Sequence, residues 1–276
     1  MMLSGLVDYH IHTSRCGHAS GEIKNYVRAA VEMGIAEIGI ADHIPLYWLP
    51  PGERDPQLAM ADAELAAYVE EVLALRKIFP QIRIKLGIEA DYVPGHEDEL
   101  RAILQAYPFD YVLGAVHYID GWGFDNPDFV DGYARYDSGT LYGKYFMLVQ
   151  NAARSNLFDA IAHPDLIKKF GCRPTSDLGG LYHGTACMCT AANIAIEVNT
   201  AGLRAPVNEI YPAKTFLQYC RELDVPVVLG SDAHAPEHVG AGFGQALELL
   251  SEVGYDEIAL FEGRKRSKLK LPPAIR

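Results

Sequence analysis

The sequence predicts an α/β fold in which a parallel β-sheet closes into a (β/α) barrel. Short apolar, β-branched runs alternate along the chain with amphipathic helical patterns. Near-continuous apolar strands separated by helices form buried parallel sheets. Seven strand-like runs fit a closed or nearly closed barrel better than an open doubly wound sheet, and no GxGxxG motif follows the first run to indicate dinucleotide binding.

The strand-like runs are rich in Ile, Val and Ala, and turn or helical patterns bound them. In chain order they cover residues 5–10, 37–43, 82–89, 110–117, 158–163, 194–199 and 225–232. The helical patterns recur with a period near 3.6 residues, and they cover residues 21–34, 62–80, 96–106, 140–154, 208–223 and 243–253. No low-complexity linker divides the chain, so we expect residues 1–276 to form a single domain.

The composition excludes several classes of function. The net charge of −12 argues against a general nucleic-acid or membrane-surface binder, because such proteins present basic faces. The basic C-terminal stretch 263–276 is therefore expected to be a solvated end. No apolar run is long enough to cross a membrane. The five cysteines are irregularly spaced, which indicates reduced thiols and a cytoplasmic location.

Histidines and carboxylates concentrate at the C-terminal ends of the strand-like runs, whereas the helical patterns contain few histidines. Such side chains lie at or just after six of the seven runs: His10 and His12, Asp42 and His43, Glu89, His117, His163, and Asp232 with His234. In a (β/α) barrel these ends meet at one mouth, where active sites form. A lone buried histidine is commonly a core residue, but the joint pattern predicts a site for several metal ions.

The residue types indicate which metals and which chemistry to expect. Imidazole and carboxylate ligands suit Zn, Fe or Mn, and the lack of cysteine ligands argues against a closed structural zinc site. A carboxylate such as Glu89 can bridge two ions. Two ions about 3.5–4 Å apart can share a hydroxide and stabilise the leaving oxygen. The pattern therefore predicts hydrolysis of a phosphoester or an amide.

Several motifs resemble the PHP (polymerase and histidinol phosphatase) family over nearly the whole chain. They are DYHIHT, ADH, GIEADYVPG, GAVHYIDGWGF, AHPD, EVNTAGLR and GSDAH. GWGFD and NTAGLR point to the histidinol-phosphate phosphatase branch. The resemblance implies a distorted seven-stranded (β/α) barrel, TIM-barrel-like, with the active site at the C-terminal ends of the strands.

The resemblance also implies two or three divalent metal ions and assigns ligands to them. The first ion would bind His10, His12, Glu89 and Asp232. The second ion would bind His18, His43 and His234, although His18 lies in a loop beyond the first strand. The third ion would bind Glu89, His117 and His163, with Glu89 bridging. Arg15 and Cys16, which lie between these ligands in sequence, have no assigned role.

A phosphate ester requires further cationic groups, because it carries about two negative charges near neutral pH. Arg204 is the first candidate, since a guanidinium matches phosphate oxygens. Lys168, Lys169 or Arg173 could supply a second cation. In the long loops, Trp48, Trp122 or Phe124 could stack on an imidazole, and one of three carboxylates could bind an ammonium group: Asp120, Asp125 or Asp128.

The resulting hypothesis is a phosphatase that converts L-histidinol phosphate to L-histidinol and phosphate in histidine biosynthesis. A metal-bridging hydroxide would attack phosphorus, with Glu89, Asp232 and Arg204 as the catalytic residues. A metal-bound water or Asp232 would pass a proton to the leaving alkoxide. Two alternatives stay open at this stage: the same site acting on a nucleotide or oligonucleotide, and a non-catalytic metal-binding module.

Overall fold

The computed structural model describes residues 3–271, in which strands and helices alternate along most of the chain. The strands are β1 (Val7–Asp8), β2 (Glu37–Ile40), β3 (Arg83–Leu86), β4 (Glu89–Asp91), β5 (Leu113–Ala115), β6 (Tyr118–Ile119), β7 (Trp122–Gly123), β8 (Ala160–Ile161), β9 (Ala195–Asn199), β10 (Val227–Gly230), β11 (Glu257–Glu262) and β12 (Lys265–Lys270). The helices are α1 (Ile23–Met33), α2 (Leu65–Ile78), α3 (Glu97–Gln105), α4 (Ser138–Arg154), α5 (Gly179–Ala192), α6 (Lys214–Glu222) and α7 (Phe243–Val253). The predicted α/β class is confirmed.

Two parallel sheets form the barrel. One has the strand order β1-β2-β3, and the other has the order β10-β9-β8-β5-β4. A bridge between Ile11 and Ala233 joins the first sheet to the second beyond β1, and a bridge between His43 and Glu89 joins them beyond β2. The Tyr9 N–H also donates to the Leu229 carbonyl oxygen at 3.0 Å. The strands are therefore connected around a ring, which confirms the predicted (β/α) barrel.

The third strand-like run explains why the barrel consists of two sheets. Residues 82–89 were predicted as one strand, but they contain β3 and the first residue of β4. β3 pairs with β2, whereas β4 pairs with β5. The two parallel sheets thus contain eight strands, where the sequence predicted seven uninterrupted ones.

The helices bury the faces that the sequence pattern indicates. In α2, Leu65, Tyr68, Val69, Val72 and Leu75 are buried at helical spacing. α1 ends at Gly34, which adopts φ 78°, a left-handed conformation that glycine tolerates.

Three segments differ from the sequence prediction. α5 was not predicted, because its apolar and small residues form no clear stripe. The pattern at 208–223 is helical only over α6, since the chain at 208–213 forms a loop. Part of the basic C-terminal stretch forms β12, which pairs antiparallel with β11; residues 272–276 of that stretch lie outside the described residues.

The β11–β12 hairpin closes the end of the barrel opposite the histidine-rich mouth. Phe261 of β11 packs against Tyr9 and Tyr111, whose own rings stack with centroids 4.8 Å apart. The Tyr111 hydroxyl donates to the Tyr9 carbonyl oxygen at 2.6 Å. Gly39 and Gly87 give the Tyr111 ring its space, because a Cβ at either position would overlap it. An aromatic floor therefore lies beneath the mouth.

Candidate metal centre

The predicted metal ligands meet at one end of the barrel. The β-bridges at Ile11 and His43 hold the ends of the first two strand segments beside Ala233 and Glu89. The imidazoles and carboxylates are mostly buried, because the strand ends point into the barrel mouth. Side-chain exposures are 0% for His10, 1% for His12, 1% for Glu89, 3% for His163, 10% for His117, 13% for Asp232, 16% for His43 and 29% for His234.

Glu89 lies at the centre of this cluster. Its Oε2 atom is 3.3 Å from His10 Nε2, 3.7 Å from His12 Nε2 and 3.0 Å from His43 Nδ1. Its Oε1 atom faces the other side, 2.9 Å from His163 Nε2 and 3.7 Å from His117 Nε2. One carboxylate therefore contacts five imidazoles, three through one oxygen and two through the other.

Asp232 completes the group around His10 and His12. Its Oδ1 atom is 3.0 Å from His12 Nε2 and 3.8 Å from His10 Nε2. Asp232 itself adopts φ 53°, a strained value for a residue other than glycine. Such strain is typical of a side chain that the surrounding structure holds in a functional position.

His18 lies at the outer edge of the cluster. Its ring centroid is 4.9 Å from that of His234 and 5.4 Å from that of His43. His18 Nδ1 is 2.9 Å from the carbonyl oxygens of Cys16 and Gln57, so Nδ1–H donates and Nε2 is left as the lone-pair atom. The structure thus brings all nine predicted ligands to the mouth, including the loop residue His18.

The ligand atoms form several close groups. Three of these groups match the predicted sets only partly. One joins His12 to His43 and His234, and another joins Cys16 to His18 and His234. The third joins His43 to Glu89 and His117. The group of His10, His12 and Glu89 lies within the first predicted set.

Three carboxylates that the predicted ligand sets do not include orient these histidines. Glu197 Oε1 lies 2.7 Å from His10 Nδ1, and Asp91 Oδ1 lies 2.9 Å from His117 Nδ1. Asp42 Oδ1 is 3.3 Å from His12 Nδ1. Each carboxylate accepts from Nδ1–H, which leaves Nε2 of the same ring as a lone-pair donor. These contacts are the outer contacts that metal-binding histidines make.

Glu197 makes the most extensive of these contacts. Its Oε2 atom accepts hydrogen bonds from the His163 amide at 2.9 Å and from Asn199 Nδ2 at 3.0 Å. A Cβ at Gly230 would overlap Glu197 Oε1 and lie 2.7 Å from His10 Cβ. A glycine at the end of β10 is thus required for this carboxylate to reach His10. The signal in the sequence was a glutamate inside the apolar run 194–199, since buried carboxylates need partners.

The charges of the cluster strongly perturb its pKa values. Burial raises the pKa of Glu89, but the imidazoles of His10, His43 and His117 outweigh burial and hold that pKa well below its ordinary value. Burial lowers the pKa of His10, yet the carboxylates of Glu197, Asp232 and Glu89 hold it well above 6.5. The carboxylates likewise hold the pKa of His12 well above 6.5, so protons on His10 and His12 balance negative charge when no other cation is bound.

Divalent cations fit this arrangement of donor atoms. His10 Nε2, Glu89 Oε2 and Asp232 Oδ1 are buried and have no hydrogen-bond partner among residues 3–271, although buried polar atoms are normally paired. The three atoms lie close together, because His10 Nε2 is 3.3 Å from Glu89 Oε2 and 3.8 Å from Asp232 Oδ1. A divalent ion bound there satisfies the three atoms at once and replaces the protons that otherwise balance the carboxylates. The structure thus supports divalent metal ions at the barrel mouth.

The predicted substrate-binding residues occupy different surroundings. Arg204 lies at the mouth, where Nη2 donates to the carbonyl oxygens of Ser231 at 2.7 Å and Asp232 at 3.1 Å. Lys168 is buried, and its ammonium group pairs with Asp165 at 2.8 Å and donates to the Ile210 carbonyl oxygen at 2.9 Å. The Lys168 charge is thus already neutralised within the fold, which does not favour a phosphate-binding role.

Two of the three predicted stacking residues, Trp122 and Phe124, pack inside the fold. The Trp122 ring stacks on Tyr136 with centroids 5.8 Å apart, and its Nε1 donates to the Phe129 carbonyl oxygen at 3.0 Å. Phe124 is fully buried and lies edge-on to Tyr145. Both rings shape the loop beside the mouth, and their faces are used in this packing.

Arg15 and Cys16 contribute to the loop that carries His18. Arg15 Nη1 pairs with Glu71 of α2 at 2.6 Å, which anchors the loop to the barrel wall. The buried Cys16 thiol donates to the Thr13 carbonyl oxygen at 3.1 Å.

Comparison with protein families gives two matches. The model for the PHP domain matches residues 8–201, and a model described as PHP-associated matches residues 215–245. A probable histidinol-phosphatase from Deinococcus radiodurans is 41% identical over 253 residues, covering 91% of this chain and 95% of the relative. The histidinol-phosphatase of Bacillus subtilis is 28% identical and covers 87% of this chain and 98% of its own.

Solved structures show the same fold. Histidinol phosphate phosphatase from Lactococcus lactis, complexed with zinc, L-histidinol and phosphate, superposes with a TM-score of 0.81 at 21% identity. The match covers 95% of this chain and 98% of that one. The putative histidinol phosphatase of Listeria monocytogenes gives a TM-score of 0.79 at 23% identity, over 87% of this chain and 99% of that one.

Within residues 3–271, none of the helices has the length and apolarity of a membrane span. With its PHP-domain match over most of the sequence and its histidine-rich barrel mouth, the chain belongs to the PHP domain family.

Proposed function

We propose that this protein is a metal-dependent histidinol-phosphatase, which hydrolyses L-histidinol phosphate to L-histidinol and phosphate. The observation that carries the metal-dependent hydrolysis is the contact of the single Glu89 carboxylate with five imidazoles. The choice of substrate rests on the relative that is 41% identical over most of the chain and bears this activity in its name. Residues 1–276 act as one domain in this proposal.

Three groups of side chains are the proposed metal ligands. The first group is His10, His12, Glu89 and Asp232, whose facing atoms lie 3.0–3.8 Å apart in the pairs given above. The second group is His18, His43 and His234. The third group is Glu89, His117 and His163; Glu89 Oε1 faces these two imidazoles while Oε2 faces His10 and His12, so Glu89 would belong to both groups. Two or three ions of Zn, Fe or Mn fit this mixture of imidazole and carboxylate donors.

When bound, divalent ions supply positive charge for the phosphate oxygens and lower the pKa of water, which is the chemistry that phosphoester hydrolysis needs. The side chains of the protein position the reactants around that charge. Arg204 adds a guanidinium beside Asp232, where it can bind a non-bridging phosphate oxygen. Among Arg204, Lys168, Trp122 and Phe124, Arg204 is the residue that we retain for phosphate binding.

Asp232 is the proposed proton carrier between the water and the leaving oxygen. Burial raises its pKa, but His10, His12 and His234 hold that pKa well below its ordinary value. Asp232 is therefore ionised at neutral pH. Its Oδ1 atom belongs to the first ligand group, so Oδ2, which accepts a hydrogen bond from Asn199 Nδ2 at 3.2 Å, is the atom that can accept a proton. The accepted proton then passes to the alkoxide of the leaving alcohol.

A comparison of substrates tests the proposal. We expect the purified, metal-loaded protein to release phosphate from L-histidinol phosphate with a kcat/KM at least about tenfold above that for p-nitrophenyl phosphate or a DNA 3′-phosphate. A tenfold ratio corresponds to about 1.4 kcal/mol in transition-state binding. A smaller ratio would favour a phosphoesterase of another specificity, and bound metal without turnover of any ester would favour a non-catalytic module.

Glu89→Ala tests the metal-dependent part of the same proposal. Because both carboxylate oxygens are used, the variant should lose metal and turnover together. Glu252→Ala is the control, since this exposed carboxylate pairs with Lys214 on the surface, away from the cluster. Wild-type rates in metal-loaded Glu89→Ala would refute the bridging role.

We also place the enzyme in the cytoplasm, because its five cysteines are free thiols.

A further inference from the structure

One carboxylate at the barrel mouth has no part in the proposed metal centre. Asp125 follows the β6–β7 hairpin, and its side chain is 26% exposed. Asp120 lies at the tip of that hairpin, where Lys144 at 2.6 Å and the Tyr136 hydroxyl at 3.2 Å hold it on the surface. Asp128 is exposed at the start of the next turn. Of these three loop carboxylates, Asp125 alone is held beside the histidine cluster.

The backbone fixes the position of Asp125. The amide of the preceding residue, Phe124, donates to the His117 carbonyl oxygen at 3.2 Å. The Phe124 ring lies against Tyr145, whose hydroxyl is 3.4 Å from the His163 carbonyl oxygen and donates to it. The residue before Asp125 is thus tied to the segments that carry two of the proposed ligands. Asp125 therefore lies at the rim of the metal centre on the side of the third ion.

The side chain of Asp125 is only partly neutralised. Lys169 Nζ lies 3.2 Å from Oδ2 and is its one ion-pair partner among the described residues. Burial raises the pKa of Asp125, but Lys169, His117 and His163 lower it further than burial raises it. The carboxylate is therefore ionised, and Oδ1 makes no hydrogen bond within the described part of the chain.

A second unpartnered group lies nearby. Tyr211 is 1% exposed, and its hydroxyl has no hydrogen-bond partner in the part of the chain that the structure describes. Its ring lies edge-on to His163 with centroids 6.4 Å apart. Burial raises its pKa, and the negative charges of Asp165, Asp232 and Asp125 raise it further. A buried hydroxyl without a partner indicates a place for a polar ligand group.

We propose that Asp125 is a specificity-determining residue that binds the cationic amino-alcohol end of the substrate while the metal centre holds its phosphate. This inference rests on the proposed function. L-Histidinol phosphate carries an ammonium group a few bonds from its phosphate, whereas an aryl phosphate carries no cation. The Tyr211 hydroxyl provides a further polar contact on the same side. Asp125 would therefore distinguish the two substrates without touching the reacting phosphorus.

Substrate comparison of Asp125→Asn tests this inference. For L-histidinol phosphate, kcat/KM should fall by about tenfold to 100-fold, mainly through KM, because a hydrogen bond to a charged group is lost. For p-nitrophenyl phosphate, kcat/KM should stay within about twofold. L-Histidinol should inhibit the variant more weakly than it inhibits the wild type, while inhibition by inorganic phosphate should not change. Asp128→Asn is the matched control and should behave like the wild type with both substrates.

Lys169→Met separates substrate binding from simple ion pairing. If Asp125 only served to pair with Lys169, both variants would lose the same activity on both substrates, and the inference would be wrong. The inference instead expects Lys169→Met to keep its preference for L-histidinol phosphate. A wild-type enzyme without that preference would overturn the proposed function. If the wild type prefers L-histidinol phosphate and the Asp125→Asn variant keeps that preference, this inference alone is overturned.

Discussion

Replacement of Glu197 by glutamine tests how the barrel prepares His10 for metal. Glu197 accepts three hydrogen bonds, one from His10 Nδ1 at 2.7 Å and two through Oε2 from His163 and Asn199. Glutamine keeps the size of the side chain but replaces one oxygen by an NH2 group. The NH2 group cannot face the two donors at Oε2 without losing both bonds, so we expect it to face His10.

This orientation changes the tautomer of His10. Facing an NH2 donor, Nδ1 must accept a hydrogen bond, which moves the ring proton to Nε2. Nε2 is the atom directed at Glu89 Oε2, 3.3 Å away, and a protonated nitrogen cannot bind a metal. Changes to such outer contacts cost about 10- to 100-fold in metal affinity or activity. We therefore expect losses of that size, equal to about 1.4–2.7 kcal/mol.

The assay measures metal affinity and turnover on the same samples. Metal-free wild type and Glu197→Gln are titrated with Zn²⁺, and phosphate release from L-histidinol phosphate is followed at each step. Glu252→Gln, an exposed carboxylate that pairs with Lys214 at 2.8 Å, controls for the loss of one charge. A Glu197→Gln protein with wild-type zinc affinity and wild-type rate would refute the tautomer argument.

Three further predictions follow from the same geometry. Gly230→Ala should lower the free energy of unfolding by about 1–3 kcal/mol and weaken metal binding, because the added methyl group displaces Glu197. The control Gly143→Ala adds its methyl group to open space and should have neither effect. Thermal melts and metal analysis measure both effects. Burial lowers the pKa of His117, but Asp91, Asp125 and Glu89 raise it to about 10. The stability that protonated His117 gives the metal-free protein is thus complete below pH 6.5 and is lost as pH rises through about 10. Zinc affinity, measured by calorimetry, should rise with pH over that range, because the proton must leave His117 before the metal binds. Arg204→Lys should lower kcat/KM by about tenfold with unchanged metal content, since an ammonium group lacks the planar fork of the guanidinium; an unaffected rate would remove Arg204 from phosphate binding.

The barrel and the location of its site could be predicted because both depend on local pattern. Apolar runs separated by helical stripes indicate a parallel barrel, and in such a barrel strand ends meet at one mouth. The histidines and carboxylates at six of the seven strand ends are thus brought together by topology alone. His10 and Asp232 are far apart in sequence, yet their facing atoms lie 3.8 Å apart.

The contacts around the ligands could not be predicted in the same way. Glu197, Asp91 and Asp42 differ from other carboxylates only by the histidine that each one faces, and that choice depends on the positions of neighbouring strands. The pairing of Lys168 with Asp165 within the fold could not be predicted for the same reason. The C-terminal basic stretch was predicted as a solvated end; most side chains of β12 are exposed, but the pairing of this strand with β11 could not be predicted.

Metal stoichiometry measured together with turnover tests the central claim most directly. The purified protein is analysed for its metals, stripped with a chelator and reloaded stepwise with Zn²⁺ or Mn²⁺, and phosphate release from L-histidinol phosphate is measured at each step. The account predicts two or three ions per chain, loss of turnover on stripping and recovery on reloading. Full turnover by the metal-free protein, or full metal content without any phosphate release, would contradict it.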